Sequence, residues 1–407
     1  MSRFHSYINS ATAILGAYQG KEPFALFLKA FFAANKKYGS KDRKQVSQLC
    51  YAYFRLGKSL QTFSIQDKIL AGLFLSEAEP NSILEEFKPN WNEFLKAHNL
   101  SEGKFNSGSE IKGDSELLLE KLKLVEPNLR PEDIFPYYSF LSNDIDKDDF
   151  ALAFLKQPKL FLRVRPGKNS KVEKQLAENN IVFEKRGDSC LSLSQGVKVD
   201  ELLAINREVV VQDESSQMIG QLLTKLPVKS VWKVWDCCAA SGGKSILAKD
   251  FLGKIELSVS DIREQMLQQL KKRLQLAEVS VFDSFPINLE LGSIKNQRGV
   301  FDLIIADVPC TGSGTWSRTP EQLCYFNESL IESYSNRQYK IASNTIDSLQ
   351  KGGYLLYCTC SVFKQENEEI VEKLKSNFGL IEIETKLFSG YSRRADSLFA
   401  SLLQKPL

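Results

Sequence analysis

Two cysteines stand next to the ends of predicted strands in the C-terminal half of the sequence. Cys310 closes the segment Asp307-Val308-Pro309-Cys310, and Cys360 is the centre of Thr359-Cys360-Ser361. Burial in the core is the usual role of a single cysteine, and Asp307 alone is also typical of a nucleotide hydrolase. Packing does not account for two thiols at one ligand-binding edge of a sheet. The two segments therefore predict chemistry at the carboxyl ends of these strands.

A glycine-containing loop follows an earlier predicted strand. Residues 236–245 are Asp-Cys-Cys-Ala-Ala-Ser-Gly-Gly-Lys-Ser, and the helix after them offers free N–H groups to a ligand. The segment Gly243-Lys244-Ser245 fits the end of the phosphate-binding pattern G-x-x-x-x-G-K-[ST], but Cys238 occupies its opening glycine position. A nucleotide hydrolase is therefore the less favoured alternative.

Acidic residues follow the next two predicted strands. Asp261 lies roughly 20 residues beyond the glycines, where a carboxylate commonly accepts hydrogen bonds from ribose hydroxyls. Its alternative role is to cap the following helix. Asp283, directly after the third predicted strand, is a further candidate for the cofactor. The loop and Asp261 together favour a nucleoside cofactor without a triphosphate, and S-adenosylmethionine fits that description.

A zinc site is not favoured, and we expect no metal. Cys358-x-Cys360 and Cys237-Cys238 lack the usual two-residue spacer, and the two histidines, His5 and His98, both fall in the N-terminal third. The eight cysteines are spread through a long chain, which indicates reduced thiols rather than a disulfide framework. Unless His98 reaches over from another domain, the C-terminal chemistry must proceed without a histidine base.

Alternating strands and helices must position these residues. Apolar runs predict five strands, each followed by a loop and most of them by a helix. These strands are Val231 to Val234, Ile255 to Val259, Val279 to Phe282, Leu303 to Ala306 and Tyr354 to Tyr357. The alternation predicts an α/β domain whose mainly parallel sheet is covered on both faces. After the second strand, Ile262, Met266, Leu270 and Leu274 are expected on one buried helix face.

The first 100 residues or so are predicted to be helical. In one example Val46, Leu49, Cys50 and Tyr53 share a helix face, and Ser40 is expected to cap that helix. The polar, glycine-containing segment from Ser101 to Glu116 is predicted to be a flexible connection or long loop. Near Lys159 the pattern changes to strands at 160–166 and 181–183 with a polar helix between them, which predicts a small α+β module.

Taken together, the motifs resemble those of the Sun-type RNA cytosine-5 methyltransferases, the Fmu/Sun family. This family is marked by a C-A-A-P-G-G-K loop, a D-x-P-C motif and a T-C-S motif. Val211 to Gln217, Arg318 to Glu321 and Asp396 to Ala400 look similar to further family segments, so that the resemblance covers roughly residues 130 to 405. In one departure, Ser241 stands where the family usually has proline.

The resemblance implies an S-adenosylmethionine-dependent enzyme that methylates carbon 5 of a cytosine in RNA. By analogy with the family, Cys360 would be the covalent nucleophile, Cys310 would help to release the product, and Asp307 would hydrogen-bond the cytosine. The residues implied to bind the cofactor are Cys238, Ala239, Ala240, Ser241, Gly242, Gly243, Lys244, Asp261, Asp283 and Asp307.

Three domains follow from the resemblance. Residues 1–140 look similar to a NusB-like helical RNA-binding domain, which favours ribosomal RNA, most of all 16S, over transfer RNA as substrate. Residues 141–210 correspond to the small α+β RNA-binding module, and residues 211–407 to a Rossmann-like methyltransferase domain. Candidate RNA contacts are Arg163, Arg165 and Arg318.

Composition adds mainly exclusions. With 407 residues, 43% hydrophobic and 25% charged, the chain has the balance of a globular protein. A formal net charge of +3 gives no whole-chain argument for nucleic acid, so any basic RNA footprint must be local. No apolar run suits a membrane span and the N-terminus lacks the apolar stretch of a signal peptide, so we expect a cytoplasmic protein, as a monomer.

Overall fold

The computed structural model describes residues 2–98, 110–294 and 299–407. Within them, no helix is long and apolar enough to cross a membrane. The α-helices of these residues are α1 (Arg3–Ala17), α2 (Phe24–Ala34), α3 (Ser40–Arg55), α4 (Ile65–Ser76), α5 (Ser82–Phe87), α6 (Pro89–Ala97), α7 (Glu110–Val125), α8 (Pro131–Ile134), α9 (Lys147–Ala153), α10 (Asn169–Glu178), α11 (Glu214–Met218), α12 (Gly220–Leu223), α13 (Gly243–Leu252), α14 (Glu264–Leu276), α15 (Glu321–Tyr325), α16 (Ser329–Ser343) and α17 (Glu368–Phe378). The β-strands are β1 (Leu160–Val164), β2 (Phe183–Lys185), β3 (Cys190–Leu193), β4 (Val209–Val211), β5 (Trp232–Asp236), β6 (Ile255–Asp261), β7 (Val281–Pro286), β8 (Phe301–Asp307), β9 (Leu349–Thr359), β10 (Ile381–Ser389) and β11 (Ser397–Gln404).

Two compact units divide the chain. The helical unit comprises Met1–Ser139, Asp146–Gln157 and Trp316–Asn327. The sheet unit comprises Phe140–Ile145, Pro158–Thr315 and Glu328–Leu407. The α+β module and the Rossmann-like domain, which the sequence divides at residue 210, thus fall in one unit. No sequence pattern indicated that a segment from the C-terminal half would pack in the helical unit.

Helix α3 in the helical unit matches the predicted periodicity. Val46, Leu49 and Cys50 are fully buried on one face, as expected from residues spaced three and four apart. The helix is capped by Gly39, whose N–H donates to the Asp42 carboxylate at 3.0 Å. Ser40 is the first helical residue, so its predicted capping role is wrong.

Helix α7 begins earlier than the sequence pattern suggested. It covers Glu110–Val125, so the prediction of a flexible connection is wrong for residues 110–116. The remainder of that prediction, residues 101–109, lies outside the described residues. The leucine and glutamate residues that follow from Glu116 favour a helix, which outweighs the low helix propensity of Gly113.

A seven-stranded sheet forms the centre of the sheet unit, in the order β10-β11-β9-β8-β5-β6-β7. Strands β5 to β9 pair in parallel, and β11 is antiparallel to both of its neighbours. The prediction of a mainly parallel, Rossmann-like sheet is confirmed. Its apolar strands are buried on both faces, since one hydrophobic cluster contains Val234 and Leu303, and a second contains Trp235 and Ile304.

Helix α14 covers one face of this sheet with a slightly different set of residues from the predicted one. Leu270 and Leu274 are buried as expected, but the third buried residue is Leu267 rather than Met266. Ile262 precedes the helix and is half exposed. The apolar face is therefore defined by the register of the helix from Glu264, which the sequence spacing missed by one position.

The predicted α+β module is present as a four-stranded antiparallel sheet in the order β2-β3-β1-β4. Helix α10 packs on it through Val172 and Leu176, and Leu162 and Leu191 complete this small core from the strands. The predicted order of strand, polar helix and strand is present, but the second strand begins at Phe183 rather than Ile181, and β3 and β4 were not predicted.

Candidate active site

The candidate site lies where the direction of strand addition reverses in the seven-stranded sheet. From β5, the chain adds β6 and β7 on one side, and later β8 and β9 on the other. In a parallel sheet, ligands bind at the carboxyl ends of the strands beside such a point. Asp236, Asp261 and Asp307 end β5, β6 and β8, and Thr359 ends β9. The predicted motifs therefore share one edge of the sheet.

The glycine loop after β5 has a backbone conformation that requires glycine at one position. Gly242 has a φ of 81° and caps helix α13. A side chain there is excluded in addition by packing, because its Cβ would lie 2.3 Å from Cδ1 of Leu270. Ala240 also has a positive φ, 44°. Gly243 instead faces open space, since a Cβ at this position would have no neighbour within 4 Å.

Ser245 is buried below this loop and its side chain faces the core. Its hydroxyl donates to Asp236 Oδ2 at 2.6 Å, and both residues are buried. Burial raises the pKa of Asp236 to about 7. In a phosphate loop the corresponding hydroxyl must face a magnesium ion. The geometry of Ser245 therefore argues against the nucleotide-hydrolase alternative.

Asp261 joins the end of β6 to the glycine loop. Its carboxylate accepts hydrogen bonds from the backbone N–H of Ala240 at 3.1 Å and from the N–H and Nε of Arg263 at 2.9 and 3.0 Å. Burial acts to raise the pKa of Asp261, but these hydrogen bonds outweigh it and lower the pKa. The bond to the Arg263 N–H resembles the predicted capping role, and the bond to Ala240 places the same carboxylate beside the proposed cofactor loop.

Lys244 and Asp307 form an ion pair at the centre of the edge. Lys244 Nζ lies 2.6 Å from Asp307 Oδ2, and the lysine side chain is only 10% exposed. Burial has the largest single effect and lowers the pKa of Lys244, but attraction to and hydrogen bonding with Asp307, together with Cys358 and Cys360, outweigh it and raise the pKa, so the lysine stays charged. Because a third of the Asp307 side chain remains exposed, its carboxylate is available to a ligand as well as to Lys244.

The two predicted catalytic cysteines lie side by side. Their sulfur atoms are 3.2 Å apart, although the residues are 50 positions apart in the sequence. The hydrogen bond with Cys360 and burial together raise the pKa of the Cys310 thiol well above its ordinary value. Both cysteines are partly exposed, whereas neighbouring Cys358 is fully buried within β9. The structure therefore separates two cysteines at the site from one cysteine of the core.

Glu366 is an unpredicted residue that links the segments carrying the cysteines. One carboxylate oxygen accepts from Thr311 N–H at 2.9 Å and Gln338 Nε2 at 2.8 Å, and the other accepts from the hydroxyls of Thr311, at 2.5 Å, and Ser361. Thr311 directly follows Cys310, and Ser361 directly follows Cys360. Glu366 is fully buried and forms no ion pair with any described residue. Burial raises its pKa although these hydrogen bonds favour the charged form.

Further buried polar contacts reinforce this connection. Ser313 Oγ lies 3.1 Å from Ser361 Oγ, and the backbone N–H of Gly314 donates to the Cys360 carbonyl at 2.9 Å. Asn367 donates to the Ser361 carbonyl at 2.9 Å and accepts from the Thr359 hydroxyl at 2.5 Å. The sequence signal was the polar run from Lys364 to Glu369, which by itself is typical of an exposed start of a helix. Its buried members could not be separated from the exposed ones without the fold.

Arg163 and Arg165, which were predicted to contact RNA, instead form ion pairs inside the sheet unit. Arg163 is 3% exposed and pairs with Asp250 Oδ2 and Gln212. Arg165 Nε pairs with Asp250 Oδ1 at 2.8 Å. Phosphate contacts require accessible donors, so the prediction for these two arginines is corrected: both are occupied by Asp250 on α13. Arg318 is partly buried in the segment Trp316–Asn327, and its role in binding RNA stays a prediction.

Asp283 does not lie at the edge where the other acids meet. In the pairing of β6 with β7 it stands opposite Ser258, whereas Asp261 stands opposite Pro286. Three residues of a strand span about 10 Å. The predicted contact of Asp283 with the cofactor is therefore not supported by its position. Among the described residues, no group of three or more His, Cys, Asp or Glu side chains is arranged to hold a metal ion.

Comparisons with known proteins identify a family model and several relatives that match part of the chain. Residues 223–395 match the family model described as 16S rRNA methyltransferase RsmB/F. A probable ribosomal RNA small subunit methyltransferase B of Synechocystis sp. is 26% identical over 275 residues, which cover 65% of this chain and 60% of that protein. A 28S rRNA (cytosine-C(5))-methyltransferase of Mus musculus is 26% identical over 220 residues, 48% of this chain and 28% of that protein.

A solved structure shows the same fold. The crystal structure of a methyltransferase homologue from Pyrococcus horikoshii superimposes with a TM-score of 0.56 at 19% identity, and covers 70% of this chain and 97% of that one. The chain matches only 60% and 48% of the lengths of two curated relatives, both named as probable ribosomal RNA small subunit methyltransferase B. The structural match shows the fold, and the match to the family model is limited to residues 223–395.

Proposed function

We propose that this protein methylates carbon 5 of a cytosine in ribosomal RNA, because residues 223–395 match the family model described as 16S rRNA methyltransferase RsmB/F. S-adenosylmethionine is the methyl donor in this proposal. The observation that carries it is the pair of thiols, Cys310 and Cys360, with sulfur atoms 3.2 Å apart at the ligand-binding edge of a Rossmann-like sheet. Asp307 ends the strand beside them. Neither a nucleotide hydrolase nor a non-catalytic RNA-binding protein needs this arrangement.

The residues around the glycine loop fit S-adenosylmethionine. Gly243 leaves open space at the start of α13, and no side chain of a described residue caps the free N–H groups in the first turn of that helix. Asp261 offers carboxylate oxygens for the ribose hydroxyls, as an acid at this strand end commonly does. When bound, the cofactor supplies an activated methyl group on sulfur. Asp261 and the loop residues 238–244 would hold and orient it.

Cys360 is assigned the nucleophilic step. Carbon 5 of cytosine is a poor nucleophile, but addition of a thiolate at carbon 6 makes carbon 5 enamine-like. The Cys360 thiol would lose its proton to solvent, its sulfur would bond to carbon 6, and the electrons of the 5,6 double bond would shift to carbon 5. Carbon 5 would then take the methyl group, whose bond to the sulfur of the donor breaks. Because the thiol must reach the face of the ring, the target base has to leave its stack in the RNA. The partial exposure of Cys360 is consistent with such access.

Asp307 is assigned to the polar edge of the same base. Its carboxyl group would accept from the amino group and, when protonated, donate to the ring nitrogen, which gains negative charge when the thiolate adds. Lys244 supports this role, since its ion pair with Asp307 fixes the carboxylate before the base arrives. A group that is already oriented needs no rearrangement during the reaction.

Cys310 is assigned to product release. After methyl transfer, carbon 5 must lose its proton and the bond between carbon 6 and Cys360 must break. Cys310 would take that proton as a thiolate, while the electrons of the carbon 5–hydrogen bond restore the double bond between carbons 5 and 6 and Cys360 leaves as a thiolate. Its sulfur lies next to Cys360, and therefore next to the bond that breaks.

The substrate is proposed from two kinds of support. The matched family and the curated relatives carry names of ribosomal RNA methyltransferases, and one of them is named for cytosine carbon 5. The second support is the resemblance of the N-terminal residues to a NusB-like helical RNA-binding domain, which favours structured ribosomal RNA. The alternative substrate is transfer RNA, which would be methylated by the same mechanism.

The test is methyl transfer from radiolabelled S-adenosylmethionine to purified 16S ribosomal RNA and to bulk transfer RNA, followed by bisulfite sequencing of the labelled RNA. We expect one protected cytosine in 16S ribosomal RNA, and no label with Cys360→Ala. Label confined to transfer RNA would reassign the substrate. Absence of label with both RNAs and with small-subunit particles, together with ATP turnover, would overturn the proposal in favour of a nucleotide hydrolase.

A further inference from the structure

Hydrogen bonds connect the α+β module to the glycine loop. Arg165 Nη1 donates to the backbone carbonyl of Asn206 at 2.7 Å. The side-chain oxygen of Asn206 accepts from Arg273 Nε at 2.9 Å. Arg273 Nη1 in turn donates to both the backbone carbonyl and the hydroxyl of Ser241, each at 2.9 Å. All of these residues belong to the sheet unit.

Residues of the α+β module bind both α13, which follows the glycine loop, and the end of α14. Asp250 on α13 pairs with Arg163 and Arg165. Arg165 Nη1 also donates to the carbonyl of Ala277, the C-cap residue directly after α14, at 2.9 Å. Asn206 has a φ of 69°, a conformation that asparagine tolerates better than most residues. The helix after the loop and the helix that carries Arg273 are therefore tied to the same small sheet.

Ser241 is the one residue of the loop that departs from the family pattern, which has proline here. A proline limits φ to about −65° and so stiffens a loop without any contact. Serine does not, and it lies between two residues with positive φ, Ala240 and Gly242. Among the described residues, no hydrogen bond uses the N–H of Ser241. A proline at this position would therefore remove no hydrogen bond.

Arg273 restrains Ser241 in place of a proline, and no carboxylate of a described residue pairs with its guanidinium. It forms no ion pair with any described residue, and the donors named above reach only neutral oxygens of Asn206 and Ser241. Its planar guanidinium fixes the direction of these bonds better than a lysine ammonium could. A loop that is already ordered binds its ligand more tightly, because no ordering entropy opposes binding.

We propose that Arg273 is the positioning residue of the cofactor loop, and that with Asn206 it replaces the stiffening effect of a proline at position 241. The inference rests on the proposed function, because it assumes that this loop binds S-adenosylmethionine. It also gives the α+β module a second role: Arg163, Arg165 and Asn206 stabilise the cofactor loop from a distance. A change in the module that moves Asn206 is then transmitted to Ser241.

The test is calorimetric binding of S-adenosylmethionine to the full chain. Arg273→Met removes the donors and keeps an unbranched apolar stem, and we expect it to weaken binding roughly tenfold, as for one lost hydrogen bond to a charged group. Lys272→Met, an exposed neighbour on α14, is the matched control and should bind as the unmodified protein does. Adding Ser241→Pro to Arg273→Met should restore affinity to within about threefold, because proline stiffens the loop without the arginine.

A structural defect alone would not be rescued by that proline. Thermal unfolding is measured on every variant. If Arg273→Met fails to fold, Asn206→Gly removes the Arg273 acceptor but permits the left-handed backbone, and Ser241→Pro should rescue its weaker binding in the same way. Equal affinity of Arg273→Met and the unmodified protein, or a double variant as weak as the single one, overturns the inference. Absence of binding by the unmodified protein overturns the proposed function itself.

Discussion

In the proposed reaction Cys360 forms the covalent bond to the cytosine and Cys310 helps to break it, so the loss of each thiol has a different consequence. Without Cys360, carbon 5 is never activated, and neither methyl transfer nor an adduct is expected. Without Cys310, the nucleophile remains but elimination slows. Cys310→Ala should therefore accumulate a protein–RNA complex that survives denaturing electrophoresis and already carries the labelled methyl group.

The control is the double variant Cys310→Ala/Cys360→Ala, in which the complex should disappear. If Cys360→Ala traps RNA and Cys310→Ala does not, the two roles are reversed. If both single variants remain fully active and neither traps RNA, the covalent mechanism is wrong.

Glu366 acts on the same cysteines through their neighbours Thr311 and Ser361. Glu366→Gln keeps the shape of the side chain but replaces one acceptor by a donor in a site where both oxygens meet donors. We expect kcat to fall roughly 100-fold, the effect of a small misplacement of reacting groups, with the affinity for S-adenosylmethionine within about twofold. The rate of adduct formation in the Cys310→Ala background should fall in parallel.

Exposed Glu369, on the first turn of α17, provides the matched control, since Glu369→Gln removes a similar charge without a contact to either cysteine segment. An equal fall in kcat for both variants would assign the effect to the charge of the helix start. A loss of cofactor affinity by Glu366→Gln as large as the loss in kcat would indicate general damage to the sheet edge.

Asp261 has a separate effect, on binding of the cofactor. Removing a carboxylate that accepts from ribose hydroxyls typically costs about 1.5 to 3 kcal/mol. Asp261→Ala should therefore raise the Kd for S-adenosylmethionine by at least tenfold. Glu264→Ala, at an exposed position on α14, should leave it unchanged. Calorimetry with equal affinity for Asp261→Ala and the unmodified protein would refute the assignment.

At the scale of elements, the junction of β5 and α13 contains a buried acid. The pKa of Asp236 rises from 3.8 to about 7, because burial penalises its charged form. Below pH 4 the group is protonated in the folded and the unfolded chain. Between pH 4 and pH 7 the unfolded chain releases the proton and the folded one retains it, so this group lowers the stability as pH increases. Above about pH 7 the contribution of Asp236 to the free energy of unfolding decreases no further.

Asp236→Asn cannot titrate and should escape this loss. Its free energy of unfolding relative to the unmodified protein should therefore increase between pH 4 and pH 7. One pKa unit corresponds to about 1.4 kcal/mol, so the upper bound of this increase is on the order of 4 kcal/mol. Urea unfolding at several pH values measures it, with Asp347→Asn as an exposed control. A pH-independent difference would show that Asp236 has an ordinary pKa.

The elements that the sequence predicted correctly are those with continuous apolar runs. Leu303 to Ala306 is fully buried between two layers of helices, and a short apolar run between loops is typical of a strand covered on both faces. Strand β10 was missed because Glu382, Glu384 and Lys386 interrupt its apolar residues, and its partner is the antiparallel β11. An edge strand of this kind is not distinguished from a loop by hydrophobicity.

The candidate site was predictable where a motif ends a strand, as at Asp261, Asp307 and Cys360. Residues defined by a distant partner were not. In the sequence Arg163 is a basic residue of a strand, and its partner Asp250 lies 87 positions later. Glu366 similarly has the sequence context of a helix start, and its partner Thr311 lies in a different segment. Local patterns determine which edge the strands share, whereas the fold alone determines which polar residues become buried there.

At the scale of the molecule, the helical unit contains a segment from the C-terminal half of the chain. Trp316 is 1% exposed and its ring packs against Phe326 at 4.7 Å, and Leu323 is fully buried. Lys58 Nζ donates to the carbonyls of Cys324 and Phe326, at 2.9 and 3.1 Å. This segment begins six residues after Cys310 in the sequence, so the helical unit and the cysteine motif are joined by a short stretch of chain.

Arg55 makes the most extensive of these connections within the helical unit. Its Nη1 donates to the carbonyls of Phe154 and Lys156, both at 2.9 Å, and of Ser317 at 3.2 Å, and its side chain is buried. The three acceptors come from two separate stretches of the chain. A charged group in such a position stabilises all of them together, and its loss leaves buried carbonyls without donors.

Truncation of residues 1–139 should therefore do more than remove an RNA-binding domain. The remaining chain would expose Trp316, Leu323 and Phe326 and lose the donors Arg55 and Lys58, so we expect it to aggregate or to unfold without a cooperative transition. In the full chain, Arg55→Met should lower the free energy of unfolding by about 2 to 4 kcal/mol, while Lys44→Met, exposed on the same helix, should change it by less than about 0.5 kcal/mol. Guanidinium unfolding followed by tryptophan fluorescence measures both variants. A truncated chain that is monomeric, unfolds cooperatively and binds S-adenosylmethionine as the full chain does would show instead that the sheet unit folds independently of these helices.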